Sequence, residues 1–197
     1  MSSETFIFFG IVGSGKGTQV KLLMDFLKNK DGRELVYVGT GEIFRKIIES
    51  SASDLDTQAV KEIVNSGRLI PDEMTNKLVL KALEAQLSPE KHLILDGYPR
   101  TVFQSEVFEK TMDSFKRENV KIIYIELSKE EAMKRNLLRG RHDDTEEGLA
   151  KRFEEYREKV IPAMDYFKDK ADYKIYTING EQSVENVHKD IIKALNF

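Results

Sequence analysis

Residues 6–18 read FIFFGIVGSGKGT, four apolar residues followed directly by a loop that contains four glycines and one lysine. The apolar run is typical of a buried β-strand. Glycines let the loop after it curl so that successive backbone N–H groups point into one concavity. The helix expected to follow adds its positive N-terminus, and Lys16 can reach the outer phosphates of a nucleotide. This stretch therefore predicts a phosphate-binding loop.

The loop departs at one position from the usual pattern G-x-x-x-x-G-K-[ST]. That pattern has a hydroxyl residue directly after the lysine. Here Gly17 follows Lys16, and Thr18 comes one place later. The difference narrows the class of protein to those whose loop continues Lys-Gly-Thr.

Composition indicates an enzyme-sized domain in a reducing compartment. The 197 residues are 40% hydrophobic, which is enough for one main domain over residues 1–197. A net charge of −3 does not suggest a binder of nucleic acid. Without cysteine, disulfides and thiolate-bound zinc are excluded. We expect a cytoplasmic protein, because no apolar run approaches the ~20 residues of a membrane span and no signal sequence is evident.

Short apolar runs alternate with longer helical patterns along the chain. Because the runs are almost wholly apolar, they predict strands that helices cover on both faces. The expected fold is an α/β doubly wound five-stranded parallel sheet, in which ligands bind at the carboxyl ends of the strands. The predicted strands are residues 6–9, 35–38, 93–95, 122–127 and 173–178.

Two segments do not belong to a minimal sheet and its helices. Residues 40–68 have a largely helical pattern, which predicts a helical insertion at about 39–68. Residues 139–144 form a charged turn between two helical patterns, which predicts a short mobile lid at about 138–145. Ser128 with Glu131 predicts a capping box, and Asp144 with Glu147 predicts another helix start.

A second motif, DGYPRT at residues 96–101, follows the third predicted strand. An aspartate at the end of a strand beside a phosphate-binding loop is where a carboxylate that organises Mg²⁺ usually lies, acting through ordered water. Asp96 is therefore the candidate magnesium residue, together with the hydroxyl of Thr18.

Together these motifs resemble the adenylate kinase family of nucleoside monophosphate kinases, over nearly the whole chain. The Lys-Gly-Thr-Gln ending of the loop is that family's variant. Residues 40–45 (TGEIFR) resemble its T-G-D-x-x-R segment, and residues 67–73 (GRLIPDE) resemble its G-x-L-V-P-D-E segment. Residues 96–104 resemble D-G-F-P-R-T-x-x-Q. The chain differs at Glu42, Val12 and Tyr98, where the family has aspartate, often proline, and phenylalanine.

The resemblance implies reversible transfer of a phosphoryl group between ATP and AMP, with Mg²⁺ as cofactor, no structural zinc and two nucleotide sites. The ATP site would comprise Gly13, Ser14, Gly15, Lys16, Gly17, Thr18, Arg135, Arg139 and Gln182. The AMP site would comprise Thr40, Arg45, Arg68, Leu69, Ile70, Gly97, Tyr98, Arg100, Gln104, Arg141 and Arg152. The catalytic cations would be Lys16, Arg100, Arg139, Arg141 and Arg152, with Asp143 and Asp144 in the lid.

Thr40 and Gln104 match the family members that select adenine, because an amide can both donate to and accept from the base edge. A UMP/CMP kinase of the same fold is the alternative within the enzyme class. A nucleotide-binding module without turnover is the alternative outside it. The resemblance implies a monomer that needs no nucleic-acid or membrane partner.

Overall fold

Parallel strands form the central sheet of this computed structural model, which describes residues 3–49, 58, 60–63, 66, 68–140 and 145–197. Within those residues the sheet has five strands in the order β2-β3-β1-β4-β5, and every neighbouring pair is parallel. The prediction of a doubly wound parallel sheet is confirmed. The strands are β1 (Thr5–Phe9), β2 (Leu35–Gly39), β3 (His92–Asp96), β4 (Val120–Glu126) and β5 (Tyr173–Asn179).

Helices cover both faces of the sheet. Their bounds are α1 (Lys16–Asp31), α2 (Thr40–Glu49), α3 (Asp72–Gln86), α4 (Val102–Ser114), α5 (Lys129–Arg139), α6 (Glu146–Glu155), α7 (Ile161–Asp165) and α8 (Val184–Ala194). A π-helical turn, Tyr156–Val160, joins α6 to α7, and in it the Ile161 N–H donates to the Tyr156 carbonyl five residues back.

The pleat of β1 sorts its side chains between two cores. Phe6 and Phe8 pack with residues of α1 and α8 on one face. Ile7 and Phe9 pack with residues of α3, α4 and α7 on the other face. Because successive side chains of a strand point to opposite faces, a strand buried on both sides is apolar throughout. This is the physical reason for the FIFF run.

Two helix starts differ in detail from the sequence-based prediction. The Ser128 side chain caps α5 by accepting from the Glu131 N–H at 3.4 Å, as expected. Glu131 does not complete the capping box, because its carboxylate pairs with Arg135 at 2.8 Å while Glu181 accepts from the Ser128 N–H. Helix α6 is capped by Thr145, which accepts from the Gly148 N–H at 3.1 Å, so the predicted start at Asp144 is wrong by one residue.

The predicted insertion has a small apolar cluster of its own. Phe44, Val60 and Ile70 are its buried members, and they lie apart from the two cores on the sheet. Arg141, Asp143 and Asp144 of the predicted lid lie outside the described residues. The bounds of the insertion and of the lid stay predictions.

Tyr98 lies wholly in the core, and its hydroxyl donates to Asn76 Oδ1 at 2.8 Å. We expect Tyr98→Phe to lower the free energy of unfolding by about 1–3 kcal/mol, because the buried Asn76 oxygen loses its donor. Urea unfolding measures the change. Tyr166→Phe is the matched control, since the Tyr166 hydroxyl bonds the partly exposed Glu109, where water can replace it. Equal losses in the two variants would contradict this account of Asn76.

Candidate active site

The carboxyl ends of β2, β3 and β1 lie side by side at one edge of the sheet. Asp96, the last residue of β3, is in register with Phe8 of β1 on one side and with Gly39 of β2 on the other. The loop after β1 therefore begins next to Asp96, and Thr40 begins α2 directly after β2. The three predicted motifs meet at one place because parallel strands carry their carboxyl ends to the same edge.

The loop at residues 10–15 has the conformation that a phosphate cradle requires. Gly13 has φ +88°, which an L side chain rarely adopts, and a Cβ there would overlap the Asn136 amide. Helix α1 follows, and the N–H groups of Lys16 and Gly17 precede its first backbone bonds, which the Thr18 and Gln19 N–H groups make to the Gly15 carbonyl at 3.0 and 3.1 Å. The Ser14 hydroxyl is buried and, within the part of the chain that the structure describes, has no hydrogen-bond partner. These donors fit the oxygens of a phosphate.

The Lys16 ammonium group folds back over this loop. It donates to the carbonyls of Gly10 at 2.6 Å and Ile11 at 3.1 Å. Burial lowers the pKa of Lys16 to about 8; Asp96 opposes the shift, and the charges of Arg100 and Arg139 add to it. The positive charges of Lys16, Arg100 and Arg139 thus repel one another at this edge, so that a bound anion would be stabilised there.

The Arg100 guanidinium lies across the end of β3. Its Nε donates to the Gly97 carbonyl at 2.6 Å, and the Thr40 hydroxyl donates to the same carbonyl at 2.8 Å. A Cβ on Gly97 would come within 2.5 Å of Arg100 Nη2 and 2.7 Å of Thr40 Oγ1, so only glycine fits. Burial lowers the pKa of Arg100, Asp96 opposes the shift, and Arg152 adds to it. The charge of Arg152 in α6 therefore acts on the Arg100 guanidinium.

Gln104 is held by a network that includes Asp72. Its Oε1 accepts from the Arg100 N–H at 2.8 Å, and its Nε2 donates to Asp72 Oδ1 at 2.7 Å. Asp72 Oδ2 accepts from the Thr101 hydroxyl at 2.8 Å. One lone pair and one N–H remain on the amide for a base. Gln104 is only 1% exposed, so a base reaches it only when the side chains that cover it move.

The other predicted residues fall into two groups. On the ATP side, Arg135 lies near the loop after β5: hydrogen bonds from Ser128 lower the pKa of Glu181, and the charge of Arg135 adds to that shift. The Gln182 side chain donates to Asp190 at 2.8 Å and to the Asn179 carbonyl at 3.1 Å. The Arg139 guanidinium donates to Asn136 Oδ1 at 2.7 Å.

On the AMP side, the Tyr98 side chain is buried in the core, so only its backbone could face a ligand. Ile70 packs in the insertion's cluster, and Leu69 is half-buried. Arg45 and Arg68 are exposed.

The residues proposed for Mg²⁺ come from two neighbouring elements at this edge. Asp96 ends β3, and Thr18 lies in the first turn of α1. In the described ranges no three His, Cys, Asp or Glu side chains are grouped so as to hold a metal ion. A sparse donor set suits Mg²⁺, which keeps several waters and takes one or two carboxylates plus phosphate oxygens.

None of the helices described here has the length and apolar character needed to span a bilayer.

The lowered pKa of Lys16 predicts proton uptake when ATP binds. In the free protein Lys16 is largely neutral at about pH 9, because its pKa is about 8. Bound phosphates favour the charged form and raise that pKa again, so binding near pH 9 should take up close to one proton. At pH 7 the group is already charged, and its uptake should be small.

Calorimetry in buffers of different ionisation enthalpy measures this uptake. Lys16→Met is the control and should abolish the contribution near pH 9. Equal uptake by that variant and by the parent protein would assign the proton to another group.

A phosphate cradle beside a second group of cations, both at the carboxyl edge of a doubly wound sheet, defines a P-loop phosphotransferase. Residues 8–172 match the model of a family described as adenylate kinase. The chain is 35% identical to adenylate kinase 1 of Nostoc sp., over 96% of this chain and 97% of that protein. It is 33% identical to the adenylate kinases of Oenococcus oeni, over 98% of both chains, and Corynebacterium urealyticum, over 96% of this chain and 98% of that one. The chain belongs to the adenylate kinase family.

Two polar residues of the site escaped the sequence analysis. Asp72 appears in a recognised segment, but its bonds to Thr101 and Gln104 join residues far apart in the chain. Asn136 had a weak signal of its own, because asparagine is unfavourable inside a helix. Its contact with Arg139 follows the i, i+3 spacing of a helix, whereas its contact with the Val12 carbonyl, 124 positions away, could not have been inferred from spacing.

Proposed function

We propose that this chain catalyses the reversible, Mg²⁺-dependent transfer of a phosphoryl group from ATP to AMP, which gives two molecules of ADP. The observation that carries this proposal is the group of cations around Asp96. Burial lowers the pKa of Lys16 and that of Arg100; Asp96 opposes both shifts, Arg100 and Arg139 add to the first, and Arg152 adds to the second. So much positive charge around one carboxylate is costly unless anions occupy the site.

The two nucleotides would approach from different elements of the same edge. ATP phosphates would lie in the loop at residues 13–18, with the adenine between Arg135 and the backbone near Gln182. The AMP phosphate would be held by Arg45 and Arg100, whose guanidinium groups form paired hydrogen bonds with phosphate oxygens. Two hydrogen bonds support this placement of AMP: Arg100 and Thr40 both donate to the Gly97 carbonyl, which lies next to the loop.

The reaction needs no general base. The acceptor is a phosphate oxygen that is already largely ionised at neutral pH. Catalysis therefore consists of holding donor and acceptor in line and neutralising the charge that develops between them. Lys16, Arg139 and Arg152 supply that charge in this proposal, with Arg141 from the lid. Mg²⁺, held through water by Asp96 and Thr18, would neutralise the β- and γ-phosphate oxygens when bound.

Base selection would rest on Thr40 and Gln104. The free lone pair and N–H of the Gln104 amide complement the N6 amino group and N1 of adenine. The bonds to Asp72 and the Arg100 N–H fix which end of the amide is oxygen. We further propose that the protein is a monomer, since one chain supplies all of these residues. We also propose that it is cytoplasmic, because a chain without cysteine suits a reducing compartment.

An ADP-formation assay tests the proposal. ATP and Mg²⁺ are supplied with AMP, CMP, UMP or GMP in separate reactions, and a reaction without acceptor is the control. We expect turnover with AMP and little with the other acceptors. A preference for CMP or UMP would overturn the base assignment. Binding of ATP and AMP without ADP formation would make the chain a nucleotide-binding module.

A further inference from the structure

Asn136 is a fully buried polar residue in the last turn of α5. Its exposed fraction is 0%, whereas Leu137 and Leu138, the next two residues, are exposed by 45% and 78%. A buried amide is costly unless its donors and acceptor are hydrogen-bonded, and asparagine also weakens a helix interior. A leucine here would avoid both costs, so the amide needs an explanation beyond folding.

The amide joins three separate groups. Its Nδ2 donates to the Val12 carbonyl of the phosphate-binding loop at 3.0 Å and to the Ala132 carbonyl of its own helix at 2.6 Å. Its Oδ1 accepts from Arg139 Nη2 at 2.7 Å. Carbonyls can only accept and a guanidinium can only donate, so the orientation of the amide is fixed by its partners.

The same amide packs directly against the loop. A Cβ on Gly13 would overlap Asn136 Nδ2, so the backbone at Gly13 lies against this side chain. Ala132, one turn earlier in α5, packs with Ile11 of the loop in a small apolar cluster. The loop therefore rests on α5 at two successive turns, first through an apolar contact and then through the amide.

We propose that Asn136 is a positioning residue that couples the phosphate-binding loop to Arg139. It holds the Val12 carbonyl on one side and the Arg139 guanidinium on the other, so that the loop's N–H groups and Arg139 face the same phosphates. This inference rests on the proposed function, because Arg139 is assigned to ATP there. A displacement of about 1 Å in such a group can cost about a hundredfold in rate.

The test is a double-mutant cycle with Asn136→Leu and Arg139→Ala. Leucine has the same number and branching of side-chain heavy atoms as asparagine, although its methyl groups are bulkier, and it makes no hydrogen bond to Arg139 or Val12. We expect Asn136→Leu to lower kcat about 10- to 100-fold, and to change the KM for AMP less than about twofold. In the Arg139→Ala background the same substitution should cost at least about five times less, because coupled residues are not additive.

Two variants control for folding. Leu138→Ala, on the exposed face of the same helix, should leave kcat within about twofold of the parent value. If Asn136→Leu does not fold, Asn136→Ser replaces it in the cycle, since a serine hydroxyl can bond the Ala132 carbonyl but is too short to reach Arg139. Equal losses in both backgrounds would overturn the proposal and leave Asn136 a structural residue.

The outcomes separate this inference from the proposed function. An active parent protein with an additive cycle contradicts only the role of Asn136. An inactive parent protein contradicts the proposed function, and the same cycle is then measured on the Kd for ATP by calorimetry. Coupling in Kd would still support Asn136 as the link between loop and Arg139, and additivity in Kd would overturn it.

Discussion

Lys16→Met should lower kcat about a thousandfold while the protein stays folded. Methionine keeps most of the side-chain length but removes the ammonium group that lies over the loop, bonded to the Gly10 and Ile11 carbonyls. Charge that develops on the transferring group then loses a fixed cation in a site where little water can replace it, and one such donor is worth about 10²- to 10³-fold. Steady-state kinetics with ATP and AMP measure the loss.

The matched control is Lys21→Met, on the same helix but exposed. It should leave kcat unchanged, and circular dichroism should show both variants folded. A Lys16→Met protein that is folded and retains more than about a tenth of the parent kcat would remove Lys16 from the catalytic group.

Arg100→Ala should lower kcat/KM for AMP about 10²- to 10³-fold, with a much smaller effect on the KM for ATP. The guanidinium is held by the Gly97 carbonyl at 2.6 Å and lies on the Thr40 side of the site. Its removal takes away paired donors to the AMP phosphate, which also cancel charge as the phosphoryl group moves. Measuring initial rates while each nucleotide is varied separates the two KM values.

Arg100→Lys tests whether geometry or charge matters. A lysine keeps the charge but cannot form the planar paired contact. The kcat/KM of Arg100→Lys for AMP should therefore exceed that of Arg100→Ala by less than about tenfold. Arg157→Ala is the control, because that side chain is 78% exposed and pairs with the exposed Glu158 at 3.5 Å. An Arg100→Ala protein that raised the KM for ATP as much as that for AMP would place Arg100 in the ATP site.

Much of the fold followed from local patterns. Each strand was evident because burial on both faces makes its sequence apolar, and the loop was evident because its glycines are contiguous with Lys16. The parallel order of β1, β2 and β3 then brought Asp96 beside the loop without further information. Features that depend on one element and its immediate neighbours are therefore accessible from sequence.

What escaped prediction depends on contacts between distant residues. Glu181 replaces Glu131 as the partner of the Ser128 N–H, across 53 positions of the chain. The Tyr98 hydroxyl donates to Asn76 in the core, across 22 positions. Asn136 meets Val12 across 124 positions. A side chain's partner in such pairs is chosen by the tertiary packing, which no local periodicity encodes.

The π-helical turn between α6 and α7 fixes the rotational phase of Arg152. A π-turn holds one residue more than an α-turn, and each residue of an α-helix rotates the chain by about 100°. Ala163 and Met164, beyond the turn, are anchored in the core. If one residue of Tyr156–Val160 were deleted, α6 would run straight into α7, and Arg152 would swing about a quarter-turn away from Arg100. The extra residue is thus a spacer that sets the angle between the anchored end of this helix and the cation it carries.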